Sequence, residues 1–114
     1  MPKQLTAAPL DVVFHALADP TRRAVVERLG AGPASTSELA QPFTMALPSF
    51  TQHLDVLERS GVVRSTKQGR VRTYRLERKA LRTAEHWLDR QRRTWERRLD
   101  QFDDYVRDVH KGRK

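Results

Sequence analysis

The sequence predicts a mainly α-helical domain that carries one small β-hairpin and ends in a long helix. Three observations predict it. Apolar residues recur at spacings of three and four between Leu10 and Leu57, in segments bounded by capping residues, Gly and Pro. Between Val62 and Leu76 the pattern changes to short strand-like runs on either side of Lys67-Gln68-Gly69-Arg70. From Arg78 the chain then meets no Gly or Pro until Gly112.

Taken in order, residues 1–9 read as a flexible N-terminal arm, with Pro2 and Pro9 and little apolar content. Leu10, Val13, Phe14 and Leu17 mark one face of a short first helix. His15, beside Phe14, reads as a packing or capping histidine. Asp19-Pro20 starts a second helix. Asp is a good N-cap, and Pro at the first helical position gives up no hydrogen bond. Gly30, Gly32 and Pro33 end it. Ser35 and Glu38 have capping-box spacing and open a short third helix that Pro42 closes. Pro48 falls in the first turn of a fourth helix, Leu47–Ser60. Phe50, Leu54 and Leu57 form its inward row and Gly61 stops it. Val62 and Val63 begin one strand, and Val71 to Leu76 form its partner across Gly69. A helix followed by a charged two-stranded hairpin is the layout of a winged helix-turn-helix, with DNA as the first partner to consider.

The last helix, 78–110, precedes a short basic tail, 111–114. Leu81, Leu88, Trp95, Phe102 and Val109 recur every seven residues, with Leu99 among the residues between. So narrow a stripe on about 48 Å of helix points to a partner helix, because one small domain hardly covers that length. The alternative is a helix laid across its own domain.

The 114 residues fit one domain with a core. Lys and Arg outnumber Asp and Glu by 22 to 14, and the surplus is localised. Residues 59–98 hold 14 basic and 4 acidic side chains, an excess of ten, while the two flanking stretches together are slightly acidic. A localised positive field favours a polyanion. No apolar run is long enough for a membrane span, so no membrane partner is expected. The N-terminus lacks a signal-peptide core, so the cytoplasm is the expected compartment. The absence of cysteine excludes disulfides and thiolate metal sites.

The residues also carry a resemblance. Phe14-His15-Ala16-Leu17-Ala18-Asp19-Pro20-Thr21-Arg22-Arg23 resembles the opening of the ArsR-type family of small winged-helix repressors. Ser37-Glu38-Leu39-Ala40 is similar to its first helix-turn-helix helix. Thr51 to Val63 (TQHLDVLERSGVV) resembles its recognition helix and the step into the wing. Gly69 to Leu76 (GRVRTYRL) resembles the return strand. The match covers about residues 10–80, so residues 10–77 are expected to form the DNA-binding domain. The resemblance implies a homodimer built on the first and last helices that binds near-palindromic operators. That puts Leu10, Val13 and Phe14 of the first helix, with Leu81, Leu88, Trp95, Leu99 and Phe102 of the last, at the dimer interface. Several members bind metals through a Cys cluster on the third helix, but Ser35 to Gln41 contains none. Others use Asp and His pairs on the last helix, where the histidines of this chain are His86 and the distant His110, with no second His close to His86. No metal site and no cofactor is therefore expected. Ala46 stands where members often place a capping Ser.

A helix in the major groove presents its first two turns to base edges. Ser49, Thr51, Gln52 and Asp55 are polar and off the inward row. The resemblance puts Leu47, Pro48, Thr51 and Gln52 nearest the bases and His53 near phosphate. Gln52 and Thr51 are the expected direct readers. Leu47 either meets a thymine methyl or belongs to the core. At the wing, Lys67, Arg70 and Arg72 are candidates for phosphate or minor-groove contact, and Gly69 permits a tight turn and close backbone approach. Arg90, Arg92, Arg93, Arg97 and Arg98 flank the dimer seam, pair with partner acids, add to the field facing DNA, or are simply solvated. Trp87 and Trp95 either pack or line a ligand pocket.

No ordered Ser/His/Asp set, Gly-rich phosphate loop or metal-ligand pair marks an enzyme. The expected function is a sequence-specific, homodimeric transcriptional repressor of double-stranded DNA. The rivals are an architectural DNA-binding protein without sequence preference and a protein-interaction module. The releasing signal stays open between a small-molecule effector, a partner protein and none.

Overall fold

The computed structural model describes residues 9–112. Residues 1–8 of the expected arm, and Arg113 and Lys114 of the expected tail, lie outside the described residues. The elements run α1 (Leu10–Ala16), α2 (Pro20–Leu29), β1 (Ala34–Ser35), α3 (Thr36–Ala40), α4 (Leu47–Arg59), β2 (Val63–Gln68), β3 (Val71–Leu76) and α5 (Arg78–Lys111). The chain is a mainly helical winged helix-turn-helix with a small antiparallel sheet. It divides into two compact units, one ending at Ala84 and one beginning at Glu85.

Local signals set most of the boundaries. Asp19 Oδ2 accepts the Arg22 backbone N–H at 3.0 Å and caps α2, with Pro20 in the first turn. Ser35 and Glu38 complete their capping box: Glu38 N–H donates to Ser35 Oγ at 3.2 Å, and Ser35 N–H donates to Glu38 Oε1 at 2.8 Å. Ser60 caps the C-terminal end of α4. Its buried hydroxyl donates to the Leu57 carbonyl at 2.8 Å, so no polar group is stranded there. Gly61 follows with a φ of 83°, which L side chains rarely adopt, and turns the chain into the sheet.

The hairpin register pairs Val63 with Leu76 and runs to Gln68 opposite Val71, leaving Gly69 and Arg70 as a two-residue turn. Gly69 takes a φ of 61°. A third strand enlarges the expected two-stranded wing. Ala34 and Ser35 pair with Tyr74 and Thr73, giving the order β1-β3-β2. Two residues after a Pro show no alternation to read, so this strand is defined by its partner alone.

Phe50, Leu54 and Leu57 of α4 sit at the centre of one core with Val13, Val25, Leu29, Leu39, Val62, Val63 and Tyr74. Each buried aliphatic side chain contributes about 1.5–3 kcal/mol. Val13 was expected at the dimer interface, but at 0% exposure it is wholly inside the protomer's core and has no surface to offer a second copy. Leu10, Phe14 and Leu81 are half-buried against that core. Ala80 and Ala84 also bury in it, so the first unit extends into α5 beyond the expected limit at residue 77.

Candidate nucleic-acid interface

The front of α4 is held from behind and open ahead. Its inward row anchors the helix, while Leu47, Pro48, Ser49 and Gln52 are exposed. Leu47 is 56% exposed, which removes it from the core and leaves an apolar side chain at the helix start. Ala46 provides no side-chain cap, so the first-turn N–H groups have no side-chain acceptor there. Thr51 is half-buried, and its hydroxyl donates to the Pro48 carbonyl at 3.0 Å. Its proton is thereby spent locally, and the oxygen remains as an acceptor. The Gln52 amide meets no protein partner among the described residues. It keeps both donor and acceptor, the pair that matches adenine in the major groove.

His53 is tied inward by one ring nitrogen. Its side chain is 23% exposed. Arg22 Nη1 lies 3.1 Å from Nδ1, and Asp19 Oδ2 lies 3.7 Å from the same nitrogen. The Arg22 Nε donates to the Ala16 carbonyl at 2.6 Å and its Nη2 to the His15 carbonyl at 3.1 Å. One guanidinium thus joins the end of α1, the start of α2 and the face of α4. His15 takes part through its carbonyl while its side chain is exposed, which removes the packing half of its packing-or-capping reading and leaves it in the last turn of α1. Partial burial alone would raise the Asp19 carboxyl. The backbone N–H groups of Arg22 and Thr21, with the Arg22 charge, outweigh it and hold the group below the usual carboxylate value.

At the wing, Lys67, Gly69, Arg70 and Arg72 are all exposed. Lys67 and Arg70 meet no acid among the described residues. Arg72 is tethered: its Nη1 donates to Ser65 Oγ at 2.8 Å, and Ser65 Oγ donates to Glu58 Oε2 at 2.7 Å. This chain links the wing to the end of α4. Lys67 and Arg72 stand directly opposite each other across the ladder, and such like charges repel until an anion comes between them. Arg64 pairs with Glu77 at 2.6 Å and Arg75 donates to Thr66 at 3.2 Å, so neither is as free as Lys67 and Arg70. Sequence reasoning missed the supporting roles of Asp19, Arg22, Glu58 and Ser65. Only the Asp19 cap left a local signal.

In α5, Arg92 and Arg93 both bond to Asp89, and Arg92 lies 3.8 Å from Glu96. The Arg92 hydrogen bond, with the charges of both arginines, holds Asp89 below the usual carboxylate value. Exposed pairs of this kind are screened by solvent and contribute little to stability. The apolar stripe is uncovered: Leu88, Trp95, Leu99, Phe102, Tyr105, Val106 and Val109 are between 38% and 65% exposed. Among the described residues no group of three His, Asp or Glu side chains is placed to hold a metal ion. No helix there is long and apolar enough to cross a membrane.

Comparison with known proteins agrees with this geometry. A family described as a helix-turn-helix domain matches residues 17–66. The chain is 41% identical over 80 residues to the HTH-type transcriptional regulator Rv2034 of Mycobacterium tuberculosis, covering 70% of this chain and 75% of that protein. It is 30% identical over 76 residues to the transcriptional repressor SdpR of Bacillus subtilis, covering 67% and 84%. Among solved structures, the ArsR family transcriptional regulator RHA00566 superposes with a TM-score of 0.73 at 56% identity, covering 76% of this chain and 96% of that one.

Proposed function

Because this chain belongs to the ArsR family of helix-turn-helix transcriptional regulators, we propose that it is a homodimeric, cytoplasmic repressor that binds a palindromic operator. That it is a DNA-binding regulator and not an enzyme follows from the family. The finer reading rests on one observation above all. The exposed Gln52 amide sits on a helix fixed from behind, beside a wing whose Lys67 and Arg70 lack acidic partners. Gln52 and the acceptor oxygen of Thr51 supply discrimination, and Leu47 is placed to meet a thymine methyl. Lys67, Arg70 and Arg72 supply affinity with a steep salt dependence. The exposed stripe of α5 supplies a reason for two copies, and two-fold symmetry then sets two half-sites.

The test begins by selecting bound duplexes from a random pool. A defined palindrome is expected. Gln52→Ala should then lose about 1–3 kcal/mol on that duplex and little on random DNA. Arg70→Ala should weaken both alike and lower the salt slope by about one. Equal losses on both duplexes for Gln52→Ala would remove the readout role. A pool that yields no preferred sequence would favour an architectural protein.

A further inference from the structure

We propose that Arg22 selects the tautomer of His53 and thereby makes its ring a hydrogen-bond donor to the DNA backbone. The proposal rests on the DNA-binding reading above and assigns Arg22 as a positioning residue within it.

A guanidinium has donors only. For Arg22 Nη1, 3.1 Å from His53 Nδ1, to bond that nitrogen, Nδ1 must present its lone pair. In the neutral ring the proton then sits on Nε2, because one ring nitrogen donates when the other accepts. Arg22 is not free to turn away. Its Nε and Nη2 hold the Ala16 and His15 carbonyls at the end of α1, the second of which also accepts the Ala18 N–H. Its backbone N–H is held by Asp19.

One neighbour pulls the other way. The Asp19 carboxylate favours a proton on Nδ1, but at 3.7 Å it lies beyond hydrogen-bond length and is engaged by the Arg22 N–H. The guanidinium is nearer and prevails. The other ring nitrogen, Nε2, has no protein acceptor among the described residues, and the side chain is partly exposed on the helix that carries Gln52.

The tautomer decides the sign of the contact. Phosphate oxygens only accept. An Nε2–H ring donates to them, whereas an Nδ1–H ring would face them with a lone pair. The link spans 31 positions of sequence, so a residue of α2 sets the chemistry of a residue on α4.

Two measurements test this. In the full chain with 15N-labelled histidine, the two-bond 1H–15N correlations of the His53 ring should show Nε2–H. In Arg22→Met they should move toward Nδ1–H, since Asp19 is left alone beside Nδ1. In DNA binding, His53→Gln places an amide N–H near the Nε2 position and should stay within about threefold of wild type. His53→Asn places its amide near Nδ1 and should lose about tenfold on selected and random duplexes alike, the order of one hydrogen bond to a charged acceptor. The His53 pair leaves the α1 contacts intact, so the result stands even if Arg22→Met fails to fold. An Nδ1–H ring in a wild-type chain that binds DNA overturns the proposal, as do equal affinities for the Gln and Asn variants. A wild-type chain that binds no duplex at low salt sinks the DNA reading itself, and the donor role with it.

Discussion

Asp19 shows how one side chain serves fold and site together. Its carboxylate caps α2 and stands beside His53. Because its folded pKa is lowered, the folded state favours the charged form. That stabilisation is complete above the unfolded carboxyl value of about 4 and fades as pH falls through the lower folded value. Asp19→Asn keeps a good cap but cannot titrate. Urea midpoints measured from neutral pH down to about pH 3 should therefore fall less steeply for Asp19→Asn than for the natural chain. An identical slope would show that the carboxylate contributes nothing to the acid sensitivity. Asp19→Ala, which has no cap, should cost about 1 kcal/mol at neutral pH by the same measurement.

The elements differ in how they are held, and that decides how legible they were. α2 and α3 were readable because Asp19, Ser35, Glu38 and Gly30 act within a few residues of themselves. The inward row of α4 was readable because Phe50, Leu54 and Leu57 repeat at helical spacing and bury as that spacing requires. β1 was not, since two residues become a strand only by pairing with Tyr74 and Thr73 far along the chain. The Arg22 contact with His53 was hidden for the same reason, and so was the burial of Val13, since the same helical spacing fits a core face and an interface equally well. In the site, the exposure of Gln52, Lys67 and Arg70 agrees with the pattern, while the tethering of Arg72 to Ser65 needed the folded hairpin. α4 itself is secured at its middle and its end but not at its start. Ala46→Ser should add about 1 kcal/mol to the unfolding free energy, read from denaturant titration. No gain would mean that another group already satisfies the first turn.

On the scale of the whole molecule the uncovered stripe of α5 dominates. Leu99 is 63% exposed at its centre. Leu99→Asp should leave a folded first unit, since that unit ends at Ala84, and should shift sedimentation from dimer to monomer. Operator affinity should fall with it. A dimer that persists in this variant would place the two-fold contact elsewhere. The charges along the same helix carry a further consequence. Asp89 gathers Arg92 and Arg93 by short-range pairing, whereas Asp100, Asp103, Asp104 and Asp108 crowd toward the helix's C-terminal end. Asp108, in the last turn, opposes the helix dipole, and aspartate is a poor helix former. With its apolar side in water as well, this segment gains little from being helical alone. Its coiling and its pairing should then be a single equilibrium, so the circular dichroism at 222 nm per residue should deepen as the protein is concentrated.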